Sequence, residues 1–511
     1  MVVSGTAPAF AEQQQSVVPV EWATCSADLL AQVPVAERPN VTCATQQVPL
    51  DHSQPQGSTI GIVMMRRAAT DQSNKIGSLF MNPGGPSASG LVYAAIAGRY
   101  LSPEVLSRFD IIGFDPRGVG SSSPLRCFQT AEEAAEVASR RRSVPLTAAE
   151  VSATMQASAD YTAACAQNAG PLLHHMSTED VARDLELLRK GVGDDHLNYV
   201  GMSYGTLLGA TYANLYPNKV RALVLDGAVD PALRTTNGTE YDRQRAQGFE
   251  ISLRELLAQC DAAGSRCYFS GNTQARYDEL SAALREAPVL LPNGVLFTYE
   301  MLLNSVSSSL YDPAAFPLLT FGFQLIYQSL PSQAASRSAA PSSDPAQVDA
   351  FTQLGTSTRG QFDAPYTGND AFYGVDCTDK PFLRIPQLYP IVMGLWDHES
   401  PTFGRWQASQ ALLTCATWPG PLFHRYAGPW HKQTANPIVV ISNYFDPATR
   451  YTFGQRMAAW LGNSKLMSVN SLGHLSLGRS ASVGAAVTRY LVDLQSPDTT
   501  TVYQPNQPAF P

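Results

Sequence analysis

The chain has 511 residues, 44% of them hydrophobic and 15% charged, and carries a net charge of −8. This composition sustains a large buried core and argues against wholesale disorder; the acidic balance argues against a nucleic-acid partner, which needs a basic face. No run of about 18 apolar residues is present, so no membrane-spanning helix is expected.

In chain order, the first feature is Ala9-Phe10-Ala11, an A-x-A pattern followed by a polar Glu-Gln run. It reads as the tail of an export signal (1–11), which places the protein outside the cytoplasm. Short apolar, β-branched runs bounded by glycine, proline or asparagine then predict buried strands at 59–65, 78–81, 110–114, 197–200, 222–225, 438–441 and 465–469. Between them lie helical patterns. One opens at Ser177 as N-cap with Asp180 at N3, and its apolar stripe is Val181, Leu185 and Leu188. The alternation predicts an α/β fold with a mostly parallel sheet flanked by helices. From 231 to 425 the alternation stops and helices dominate, with 247–260 and 274–285 the clearest and a hydrophobic-poor loop at 331–345. The expected organisation is a core in two parts, 12–230 and 426–511, interrupted by a helical cap insertion.

Eight cysteines (Cys25, Cys43, Cys127, Cys165, Cys260, Cys267, Cys377 and Cys415) are even in number and contain no C-x-x-C pair. That favours disulfides in an exported protein over a metal site, the alternative being reduced thiols in a cytosolic one. Sequential pairing, 25–43, 127–165, 260–267 and 377–415, is the simplest connectivity. No metal and no cofactor are expected.

Chemistry concentrates at Gly201-Met202-Ser203-Tyr204-Gly205, a G-x-S-x-G stretch between a predicted strand and a predicted helix. The strained turn it implies leaves no room for side chains two positions either side of Ser203, and it presents Ser203 as a nucleophile beside a helix N-terminus. Gly84 and Gly85, in the loop after the 78–81 strand, together with the N–H of Tyr204, are candidate oxyanion donors. Asp446 follows the 438–441 strand and His474 the 465–469 strand. They complete the chain order Ser, Asp, His. His174 and His175 read as loop or structural residues, and His424 and His431 as wall or surface. In the Asp115-Pro116-Arg117 loop, Arg117 reads as a tie to carbonyls or a carboxylate, with substrate binding the alternative.

NPGGP at 82–86, FDPRGVGSS at 114–122, GMSYGT at 201–206, VLDGAVDP at 224–231, YFDPATRY at 444–451 and Gly473-His474 together resemble the secreted α/β-hydrolases. More narrowly they are similar to the tripeptidyl aminopeptidase-like and proline iminopeptidase-related serine exopeptidases, as are Cys377-Thr378-Asp379 and CATWP at 415–419. The resemblance implies Ser203 as nucleophile, His474 as base, Asp446 as its orienting acid, and a cap that restricts access to short peptides or small esters. Relatives commonly continue the glycine loop as proline-glycine, whereas Ser87 and Ala88 follow Pro86 here. An aminopeptidase also needs a carboxylate for the substrate ammonium; Asp379 is the first candidate, then Glu240 and Glu250. The expected function is a secreted serine aminopeptidase acting on short peptides, its oligomeric state left open with a monomer favoured. The alternatives are a carboxylesterase or amide hydrolase, and a non-catalytic binding protein on the same fold.

Overall fold

The structure is a computed structural model that describes residues 18–333, 344–356, 366 and 368–511. The 1–11 segment and most of the 331–345 loop lie outside the described residues. Six strands precede the long insertion: β1 (Val41–Pro49), β2 (Thr59–Arg67), β3 (Gly77–Asn82), β4 (Phe109–Phe114), β5 (Leu197–Met202) and β6 (Val220–Asp226). Among the described residues, the insertion carries only the two-residue strands β7 (Val289–Leu290) and β8 (Leu296–Phe297), paired with each other. The sheet resumes with β9 (Ile438–Phe445), β10 (Ser464–Leu472) and β11 (Val502–Tyr503). Its order is β1-β2-β4-β3-β5-β6-β9-β10-β11. β1–β2 and β2–β4 are antiparallel and every pair from β4 to β11 is parallel.

Burial explains the apolar runs. Along β5, Leu197 and Tyr199 enter one hydrophobic cluster while Val200 and Met202 enter the cluster on the opposite face. β4 divides likewise, Ile112 and Phe114 against Phe109 and Ile111, and β9 places Ile438 and Val440 opposite Val439 and Ile441. Successive strand side chains point to opposite faces, so a strand covered on both must be apolar at every position. Helix Thr178–Gly191 covers the first face through Val181, Leu185 and Leu188, and its capping box forms between Ser177 and Asp180. Helix Ala481–Asp493 covers the second through Val483, Val487 and Leu491.

β1 and β11 have no counterpart among the sequence-predicted strands. β1 alternates buried and exposed positions with threonine and glutamine between its apolar residues, and β11 is only two residues long. The insertion supplies most of a third cluster, around Phe249, Leu256, Leu303 and Phe323, which Val144, Leu472 and Phe510 join from outside it. Part of it packs elsewhere. Asp370 accepts hydrogen bonds from the Cys127 N–H (2.7 Å) and the Tyr161 hydroxyl (2.6 Å), so helices between β4 and β5 join the same helical layer. All four sequential cysteine pairs form disulfides: 25–43, 127–165, 260–267 and 377–415.

Candidate active site

Ser203 directly follows β5 and has φ +56°, a left-handed conformation that costs energy for any residue with a Cβ. The chain turns there into helix Gly205–Leu215. A Cβ on Gly201 would stand 2.3 Å from the Gly205 carbonyl oxygen, and one on Gly205 would stand 2.6 Å from the Asn82 carbonyl oxygen. The flanking glycines are therefore a steric condition of the turn. Ser203 is tied down by its N–H to the Asp226 carbonyl (2.9 Å), and its own carbonyl accepts the Thr206 N–H and hydroxyl.

The glycine loop lies against this turn. A Cβ on Gly84 would meet Ser203 Cβ and the Tyr204 nitrogen, both at 2.9 Å, and Gly84 has φ +95°. The Gly84 N–H donates to Asn82 Oδ1 at 3.0 Å. Those of Gly85 and Tyr204 donate to no other group among the described residues, which leaves them able to hold a ligand oxygen.

Asp446 and His474 meet across the ends of β9 and β10. His474 Nδ1 lies 2.8 and 3.0 Å from the two Asp446 oxygens, and both residues are buried. Asp446 Oδ1 also accepts the N–H groups of Ala448 (2.9 Å) and Thr449 (2.8 Å), which fix the carboxylate. With Nδ1–H donated to Asp446, Nε2 carries the lone pair. Nε2 is buried without a hydrogen-bond partner, so Ser203 and His474 are not bonded in this structure.

Four residues absent from the sequence-predicted set hold the imidazole or the loop that carries it. Tyr311 stands edge-on to it at 5.2 Å, and its carbonyl accepts the His474 N–H at 3.0 Å. Asn443 Nδ2 donates to the carbonyls of Gly473 and Leu475, either side of His474. Asp226 accepts the N–H groups of Ser476 and Leu477, and burial pushes its carboxyl up to about 6 despite them. Thr449 Oγ1 lies 3.4 Å from His474 Nδ1. Asp226 and Thr449 fall inside motifs already quoted, whereas Tyr311 sits in the insertion with no local signal.

The three candidate ammonium anchors have partners. Asp379 is fully buried and accepts the Thr178 N–H (3.0 Å) and hydroxyl (2.5 Å); burial pushes its carboxyl up to about 6. That Thr178 hydroxyl also bonds the Tyr204 hydroxyl at 2.5 Å, linking Asp379 to the residue after Ser203. Glu240 is gripped by Arg243 at 2.7 and 2.8 Å. Glu250 accepts the N–H groups of Thr402 (2.6 Å) and Phe403 (2.9 Å). Arg117 is wholly buried, pairs with both Asp184 oxygens, and donates to the carbonyls of Pro49, Leu50 and His175, the tie its loop suggested.

Comparison with known proteins names the family. A family described as "alpha/beta hydrolase fold" matches residues 77–257, and one described as "TAP-like protein" matches 400–502. A Mycobacterium tuberculosis protein named carboxylesterase B is 31% identical over 504 residues, covering 96% of this chain and 90% of that protein. The chain belongs to the TAP-like α/β-hydrolases. Other relatives of this hydrolase are a Streptomyces coelicolor tripeptidyl aminopeptidase, 29% identical over 89% of this chain and 80% of its own, and the M. tuberculosis serine protease Hip1, 29% identical over 94% and 90%. The protein is a serine hydrolase.

Proposed function

We propose that this hydrolase is an exported aminopeptidase that releases short N-terminal peptides through an acyl-enzyme on Ser203. The observation that carries the reading is a serine held at φ +56° beside a buried Asp446–His474 pair. On substrate binding the Ser203 side chain turns toward His474 Nε2, which takes its proton as Oγ attacks the carbonyl. Asp446 holds the tautomer and stabilises the imidazolium. The Gly85 and Tyr204 N–H groups receive the oxyanion, with Gly84 shaping the loop. The imidazolium then protonates the departing amine, and water, deprotonated by the same nitrogen, releases the acyl peptide. Relatives named tripeptidyl aminopeptidase and serine protease support peptide substrates. Four disulfides support an oxidising compartment, and no helix among the described residues is long and apolar enough to cross a membrane.

A second reading, hydrolysis of small esters or amides, is favoured by the relative named carboxylesterase B. Chromogenic tripeptidyl amides with free and acylated N-termini, assayed beside short acyl esters, separate the two. The aminopeptidase reading expects kcat/KM to fall steeply on N-terminal blocking; equal rates on both would overturn it. Separate substitution of Asp379, Glu240 and Glu250 then assigns the anchor, as the one whose loss raises KM for free but not blocked peptides.

A further inference from the structure

Three residues with no part in the acyl-transfer chemistry converge on one spot. His175 follows the short 3-10 turn Pro171–His174, Asp180 lies in the first turn of helix Thr178–Gly191, and His424 lies in the connection that leads from helix Leu412–Ala416 to β9. One ring nitrogen from each histidine and one Asp180 oxygen all lie within 4.8 Å of one another. His424 Nε2 stands 2.9 Å from Asp180 Oδ2, and the two imidazoles meet edge to face at 6.0 Å. His175 Nδ1 is buried and has no hydrogen-bond partner.

We propose that His175, Asp180 and His424 form a binding site for a divalent transition-metal ion of the zinc class. Two imidazole nitrogens and a carboxylate oxygen are a donor set that such ions take, with a fourth position left to water. Metal–ligand bonds of about 2.0–2.2 Å set neighbouring donors about 3.4 Å apart, so a donor pair at the 4.8 Å limit must close by about 1.4 Å. His424 can supply that movement because its side chain is 43% exposed and sits in a loop, which also opens the site to solvent. Asp180 is already oriented, its Oδ2 accepting the Ser177 hydroxyl at 2.7 Å. The surroundings favour a cation. Asp51 and Asp180 act on both histidines and Glu179 on His424, with Arg117 opposing them at His175.

The ion would clip the loop carrying His424 to the start of a helix whose first residue, Thr178, bonds the Tyr204 hydroxyl. Its role is therefore structural. The test is titration of Zn2+ into chelator-treated, full-length protein by calorimetry, with Co2+ absorption as an independent readout of coordination. One equivalent should bind, raise the denaturation midpoint by a few degrees, and give visible Co2+ bands of a four-coordinate site. His175→Ala and His424→Ala should each weaken binding at least ~10-fold, whereas His474→Ala should leave it unchanged. The proposal is overturned if wild-type protein binds no ion and leaves the aqueous Co2+ spectrum unaltered. Loss of binding on His474→Ala, or binding that survives both His175→Ala and His424→Ala, overturns it equally.

Discussion

Ser203, the proposed nucleophile, stands out by its surroundings. Its hydroxyl is ordinary; its backbone conformation, its two flanking glycines and its neighbours at Gly84 and Tyr204 are what distinguish it. Ser203→Ala should lower turnover by about 10^4-fold or more while the denaturation midpoint stays near wild type. Retention of full activity would remove Ser203 from the mechanism. Gly205→Ala tests the steric condition, since its Cβ would stand 2.6 Å from the Asn82 carbonyl. It should cost about 1–3 kcal/mol in chemical denaturation, and more activity than stability because the turn itself must shift. Ser203, Asp446 and His474 could be picked out in the sequence as candidates because each follows a predicted strand. Tyr311 could not, because its contact with His474 spans the chain from the insertion to the end of β10.

At the scale of elements, helix Thr178–Gly191 joins the fold to the site. Its capping box holds the first turn, and Thr178 passes a hydrogen-bond chain from Asp379 to Tyr204. Ser177→Ala should cost about 1 kcal/mol, measured by denaturant titration. Asp379 makes a pH prediction with a definite sign. Its folded carboxyl is raised to about 6, so the native state holds a proton that the unfolded chain, at about 3.9, has released. This contribution to stability is greatest below the unfolded value and is lost as pH rises through about 6. Asp379→Asn should remove that loss, making the slope of stability against pH more positive between about 4 and 6 by at most about 1.4 kcal/mol per unit. An unchanged slope would mean the carboxyl titrates normally. The capping box was legible from Ser177 and Asp180, which are local. The Thr178–Asp379 contact was not, since the partners lie 201 positions apart.

For the whole molecule, the helical layer rests on two stretches of chain, one before Ser203 and one after it, pinned together at Asp370. The disulfides Cys127–Cys165 and Cys377–Cys415, each with a sequence separation of 38, brace these two stretches. Replacing Cys127 and Cys165 together by alanine should cost about 2–4 kcal/mol, read from equilibrium unfolding. A buried ionic group lies in the same region: Lys380 bonds Asp376 (2.7 Å) and Asp242 (3.0 Å), and Arg234 pairs with Asp376 beneath the Tyr204 ring. Removing one charge leaves the others uncompensated, so Asp376→Asn should destabilise by about 3–5 kcal/mol.

The sequence by itself determined the strand–turn–helix around Ser203 and the parallel sheet, and it offered the candidate order of serine, aspartate and histidine and sequential cysteine pairing as the simplest readings. These rest on short-range physics: side-chain periodicity, the steric demands of a tight turn, and loops short enough to close sequentially. Only the tertiary structure decided which carboxylates are already spoken for, which residues hold the His474 ring, and that His175, Asp180 and His424 share one spot. Those depend on segments far apart in sequence meeting in a low-dielectric interior, where a group's neighbours, more than its type, set its charge and its partners.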